Sequence, residues 1–120
     1  MDPDPTTANA PLVIEVSSTP EATVCRLSGS ASMEACGLLN DQLLSAATNT
    51  DKLLAVDLSE LRFICSLGLG SIVAAYLRMA KKGGAIRLVA PQPQVLDMLE
   101  LTKLGTLLPV RSSLQDALEH

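Results

Sequence analysis

Leu53-Leu54-Ala55-Val56-Asp57-Leu58-Ser59-Glu60-Leu61-Arg62-Phe63-Ile64-Cys65-Ser66-Leu67-Gly68-Leu69-Gly70 is the stretch whose reading decides the fold. Its first five residues form a short apolar run of the kind that fills a strand buried on both faces. The run predicts a strand closing at Asp57, a short loop crossing the sheet edge, and a helix opening at Ser66. That helix extends to Lys82, with Leu69, Ile72, Val73, Tyr76 and Met79 or Ala80 turned inward at helical spacing. Arg78, Lys81 and Lys82 in its last turn, followed by Gly83-Gly84, match the preferences of a helix C-terminus. Ser66 stands where a hydroxyl can cap the free N–H groups of the first turn. The same position suits a phosphate, because backbone donors and the helix dipole both favour an anion there. Gly68 and Gly70 lower helix propensity by roughly 1 kcal/mol each relative to alanine. Their presence predicts close approach by another backbone or a partner, or tight packing on the strand.

Upstream, residues 1–10 are rich in Pro, Asp and Thr and are expected to be a disordered lead-in to a domain over 11–120. Leu12-Val13-Ile14-Glu15-Val16 and Thr23-Val24-Cys25-Arg26-Leu27-Ser28 read as two strands of a hairpin around the Ser17-to-Pro20 turn cluster. Ser32 takes an N-cap position, with Glu34 in the first turn and Ala35, Cys36, Leu39, Leu43 and Ala46 giving one apolar helical face. Downstream, Ile86-Arg87-Leu88-Val89 is the next strand and Pro91 to Leu101 a third helix. Leu107 to Val110 is a short final strand whose Pro109 points to a sheet edge or a strand end. Ser112 as cap with Gln115 three residues later forms a capping box opening a last helix. Strands alternating with helices predict an α/β fold, a mixed sheet of four to five strands with about four helices mainly on one side.

Composition narrows the function. A formal charge of −4 and two aromatic residues, Phe63 and Tyr76, argue against nucleic acid, which calls for clustered cations or stacking platforms. The cysteines Cys25, Cys36 and Cys65 contain no CxxC pair and suggest neither a disulfide framework nor a zinc site; they read as small buried hydrophobes of a reducing compartment. Cys65, at a helix start, is also a candidate redox-sensitive thiol. His120 is the sole histidine, which leaves no Ser-His or Cys-His catalytic pair. Asp57 is expected to serve turn or cap chemistry, since no further carboxylates join it at the neighbouring strand ends. No metal or organic cofactor is implied. No apolar run reaches the length of a membrane span and the acidic start lacks the features of a signal peptide, so no membrane insertion is expected and the cytoplasm is the expected compartment.

The ordered set of motifs resembles the STAS-domain anti-sigma factor antagonists. A strand, Asp57-Leu58-Ser59, six residues, and Ser66-x-Gly68-Leu69-Gly70 is similar to the family signature. The likeness continues through Tyr76 and Arg78, Gly83-Gly84, Leu88-Val89, Val95, Leu99-Glu100-Leu101-Thr102-Lys103-Leu104, Leu108-Pro109-Val110 and the capped helix of Ser112 to Leu118. The resemblance implies a STAS-like single domain without catalytic duty. It implies binding to an anti-sigma factor that is also a serine kinase of the histidine-kinase-like ATPase type, with Ser66 as phosphorylation site and a serine phosphatase restoring it. Ser32, Cys65, Ser66, Leu67, Gly68 and Leu69 are the partner-binding candidates. Where the family has Asp before its serine this chain has Cys65, where it has Ser or Thr after it this chain has Leu67, and Ser32 replaces an acidic residue after the second strand. Cys65 and Leu67, which make the patch around Ser66 more apolar, support an alternative, a constitutive, non-phosphorylated STAS adaptor subunit of a sensory or lipid-transport assembly.

Overall fold

The computed structural model describes residues 10–119; of the expected lead-in, residues 1–9 lie outside that range. Five strands form one sheet in the order β1-β2-β3-β4-β5. β1 (Val13–Ser18) pairs antiparallel with β2 (Thr23–Ala31), and β3 (Leu53–Ile64), β4 (Ala85–Val89) and β5 (Val110–Arg111) follow in parallel. Parallel neighbours need crossover connections, and helices supply them. α1 (Cys36–Thr48) joins β2 to β3, α2 (Ser66–Lys81) joins β3 to β4, and α3 (Pro93–Leu101) leads towards β5. α4 (Leu114–Glu119) closes the described chain. The mixed sheet, the hairpin and the four helices agree with the architecture expected from the sequence.

The period of two along β3 decides what lies on each face. Leu54, Val56 and Leu58 point into the main core, where they meet Leu39 and Leu43 of α1, Leu69, Ile72 and Met79 of α2, and Val95 and Leu99 of α3. Ala55 points the other way and packs with Val89 and with Ala117 of α4. Short side chains on that second face let a helix of only six residues lie close to the sheet. All of Leu53 to Leu58 is buried, as a strand covered on both sides must be. On α2 the inward residues are Leu69, Ile72, Ala75 and Met79; Val73 and Tyr76 are half-buried flanks and Ala80 faces out.

Several boundaries differ from the sequence reading. β3 does not stop at Asp57. It continues to Ile64, because Glu60, Leu61, Phe63 and Ile64 keep pairing with Ser28, Gly29, Ser30 and Ala31. Register shifts between Arg26 and Ser28 and between Gly29 and Ser30 place extra residues on β3, which disguises its alternation. Gly29, at φ +86, occupies the one backbone region that glycine enters freely, and a Cβ there would strike the Pro11 carbonyl. Ser32 makes no side-chain cap; it precedes a 3-10 turn, Met33–Ala35, and α1 starts only at Cys36. Ser66 is the first residue of α2, with Cys65 in the cap position. The last strand is Val110–Arg111, with the Pro109 carbonyl accepting from Leu88 N at 2.9 Å; β5 is an edge strand, as Pro109 suggested. The cap of α4 is Ser113 rather than Ser112: its Oγ accepts from Asp116 N at 3.1 Å, while Gln115 bonds to Glu119.

Ile72 is fully buried at the contact of α2 with the sheet and α1. Truncating it to alanine leaves a cavity that rigid neighbours fill only in part, so Ile72→Ala is expected to lower the unfolding free energy by about 2–5 kcal/mol. Urea denaturation followed by circular dichroism measures the loss.

Candidate functional site

The site begins with a register. Ala31 pairs with Ile64, and Cys65 N donates to the Ala31 carbonyl at 3.0 Å, so β2 and β3 end side by side. The chain after each strand turns into a helix, and Ser32, Cys36, Cys65 and Ser66 therefore gather at one sheet edge. α1 and α2 also pack against each other along their lengths. Gly68 makes that packing possible near the helix start. A Cβ on it would lie 2.7 Å from Ile64 Cγ1 and 3.3 Å from Leu39 Cδ2, both on buried side chains. Gly70 has no such role, for a Cβ there would meet nothing within 4 Å.

Of the residues expected to face a partner, Ser66 and Leu67 are exposed, Leu67 by 55%. Ser32 is half-buried and Cys65 nearly covered. Gly68 and Leu69 lie beneath the surface, Leu69 only 2% exposed within the core, so their part is to position the first turn of α2. Three residues that the sequence reading did not single out join the exposed ones: Met33 (67% exposed), Phe63 (47%) and Leu38. With Ser32, Ala35, Cys65 and Ala10 to Leu12 they line an open groove of about 710 Å³ that ends beside Ser66. Phe63 alternating with buried Ile64 was the signal available for this wall, once β3 is known to reach that far.

Two cysteine sulfurs meet at this edge, and the Glu34 carboxylate also lines the groove. Cys36 Sγ donates to the Ser32 carbonyl at 3.2 Å and lies 3.0 Å from Cys65 Sγ. Burial pushes the Cys36 thiol up to about 11, and the neighbouring Cys65 adds to the rise. For Cys65 burial also acts upward, but the Cys36 thiol and the backbone N–H groups of Gly68 and Leu67 outweigh it, and its pKa is lowered. Those amides belong to the first turn of α2, where backbone N–H groups and the helix dipole both favour the thiolate. Cys25, in the core, is pushed up to about 11 by burial.

Asp57 makes the short-range Asx-type contact expected of it, though inside β3 at the first register shift and not at a strand end. Its Oδ1 accepts from Ser59 N at 3.0 Å and Ser59 Oγ at 2.7 Å, and its Oδ2 meets Arg26 Nε at 3.3 Å. Among the described residues, no group of three or more His, Cys, Asp or Glu side chains is placed to hold a metal ion. Also among them, no helix is long and apolar enough to cross a membrane.

Comparison with known proteins agrees with this architecture. The family profile described as "Mlab, STAS domain" matches residues 14–109, so the chain belongs to the STAS domain family. No curated protein sequence matches it. Among solved structures it is similar to an anti-sigma factor antagonist from Mycobacterium paratuberculosis, at 26% identity and a TM-score of 0.84, covering 94% of this chain and 96% of that one. A STAS-domain protein from Planctomyces limnophilus, titled an anti-sigma-factor antagonist, aligns at 19% identity and TM-score 0.79, covering 88% and 95%. The phosphorylated form of the Bacillus cell fate determinant SpoIIAA aligns at 18% identity and TM-score 0.69, covering 89% and 97%. The last two likenesses are of fold.

The two glycines and the thiols give separable tests. Gly68→Ala is expected to destabilise by about 1–3 kcal/mol, because Ile64 and Leu39 must move. Gly70→Ala is expected to stabilise by about 0.5–1 kcal/mol, since it only adds helix propensity. Urea titration of both variants checks the opposite signs. At neutral pH iodoacetamide is expected to label Cys65 before Cys36 and Cys25, because a lowered pKa gives more thiolate and a raised one less; timed peptide mass analysis reads the order.

Proposed function

We propose that this STAS domain, over residues 11–120 with 1–10 as its lead-in, is a non-catalytic interaction switch. In this reading it is an anti-sigma factor antagonist that docks an anti-sigma factor with serine kinase activity and releases it when Ser66 is phosphorylated. The supporting observation is the position of Ser66: exposed, first in α2, and next to the groove bounded by Met33, Glu34, Phe63 and Cys65. The structural likeness to an anti-sigma factor antagonist over nearly the whole chain supports the same role.

The physics of such a switch is local. A phosphate on Ser66 adds close to two negative charges beside Leu67, on a face that a partner must strip of water. The open N–H groups and dipole of the sixteen-residue α2 tolerate the anion, so the domain stays folded while the interface is lost. Gly70 fits this account, because an exposed helical glycine with free space above it leaves backbone open to a partner's close approach. A phosphatase would return the serine, and the work of both enzymes falls to partners. The cytoplasm, where such kinases and sigma factors meet, is the corresponding compartment.

The exposed Leu67, Phe63 and Met33 also favour a second reading, a constitutive adaptor held in a larger assembly by this apolar face. Baits of wild type, Ser66→Ala and Ser66→Asp, used against the native cell extract with intact-mass analysis of the endogenous protein, separate the two. The switch predicts a kinase-type partner held by wild type and Ser66→Ala, lost by at least about tenfold (about 1.4 kcal/mol) with Ser66→Asp, and an added phosphate in the mass. The same partners on all three baits, with no phosphate, would sink the switch and leave the adaptor.

A further inference from the structure

We propose that Cys36 and Cys65 are a redox modification site: a hydroperoxide converts this dithiol to an intramolecular disulfide that ties the start of α1 to the start of α2 beside Ser66. The inference stands on geometry and is independent of the partner-switch reading. The two sulfurs are 3.0 Å apart across 29 residues of sequence, and a disulfide needs about 2.05 Å, so the closing movement is about 1 Å. Both residues open helices and are held from several sides. Cys65 is fixed by its own N–H on the Ala31 carbonyl, and Cys36 by its thiol on the Ser32 carbonyl. Cys65 is nearly covered but lines the open groove, the side from which a small oxidant approaches it. Cys25 lies in the main core and takes no part.

The chemistry balances without any further cofactor. The Cys65 thiolate attacks one oxygen of hydrogen peroxide; the O–O bond breaks, hydroxide leaves and takes a proton, and Cys65 becomes a sulfenic acid. Cys36 sulfur then attacks Cys65 sulfur; the S–O bond breaks and the departing hydroxide leaves as water with the Cys36 proton. Two thiols lose two electrons, one peroxide gains them, and two waters form. The lowered pKa of Cys65 and the raised one of Cys36 suit the order of events, attacking thiolate first and resolving thiol second. A dithiol reductant reverses the reaction by exchange. Formation of the bond removes the Cys36 hydrogen bond to Ser32 and draws the first turns of both helices together. The edge that carries Ser66 thereby reports oxidation as well.

Tryptic mapping reads the site directly, because cleavage at Arg26, Lys52, Arg62 and Arg78 leaves each cysteine on its own peptide. The reduced full-length chain is treated with equimolar hydrogen peroxide, quenched with iodoacetamide and digested without reductant. The expected result is a monomer lighter by two hydrogen atoms before alkylation, peptides 27–52 and 63–78 joined, and Cys25 alkylated. Dithiothreitol separates the pair, and Cys25→Ala keeps the linkage. Cys36→Ser is expected to stop at a sulfenic acid on Cys65, trapped by a 1,3-dione. Joined peptides that include Cys25, linkage only between molecules, or wild-type Cys65 oxidised to sulfinic acid while Cys36 remains alkylated would overturn the proposal. The Ser66 baits have no bearing on this outcome, so either inference fails alone.

Discussion

The parallel pairing of β2 with β3, carried through two register shifts to Ala31 and Ile64, is the constraint on which the rest depends. Parallel strands cannot be joined by a tight turn, so each must hand its chain to a helix, and strands that end together start their helices together. That single fact brings Ser32, Cys36, Cys65 and Ser66 to one edge from positions far apart in sequence. It also sets α1 beside α2, where Gly68 lets the helix starts approach Ile64 and Leu39. Antiparallel β1 lies outside this logic and remains an exposed edge, with five of its six residues open to solvent.

Much of the scaffold was legible because burial has a period. The apolar run Leu53 to Val56 gave the central strand, and residues recurring three and four apart gave α1 and α2 with their inward faces nearly correct. What failed was local. The bulges in β3 break its alternation after Asp57, so the pairing of Glu60 to Ile64 with β2 is a tertiary effect with no trace in pattern. Cap positions slipped by one residue or more at Ser32, Ser66 and Ser112, since serines before an apolar run satisfy the same rule in several registers. The gradual entry through the 3-10 turn at Met33–Ala35 has no sequence rule at all.

At the candidate site, types were readable and adjacency was not. The exposure of Ser66 and Leu67 follows from a helix start at a sheet edge. Leu69, three residues further on, falls on the buried side by the same helical period that identified the helix. The groove wall made by Met33, Leu38 and Phe63 joins three elements, and the 3.0 Å approach of Cys36 to Cys65 joins two. Neither can be seen along a chain without knowing which strands are neighbours. Cysteines spaced far apart in sequence gave no pairing signal; the parallel register supplied it.

Burial is distributed unevenly along the molecule. From Leu101 to Glu119 only Leu108 and Ala117 are fully enclosed, β5 has two residues, and α4 rests on a patch of alanine and valine. Gln92 ties the entrance of α3 to the carbonyl of Ser59, the residue that Asp57 holds, at 2.8 Å. The domain is therefore a firm body, built on the β2–β3 pair with α1 and α2, carrying a lightly fastened C-terminal segment from Leu101 onward. Amide exchange in such a body is graded: protons of β5 and α4 are lost through local opening while those of β3 await global unfolding. Ser66 and the groove beside it are on the firm part, so fraying of the last elements leaves them intact.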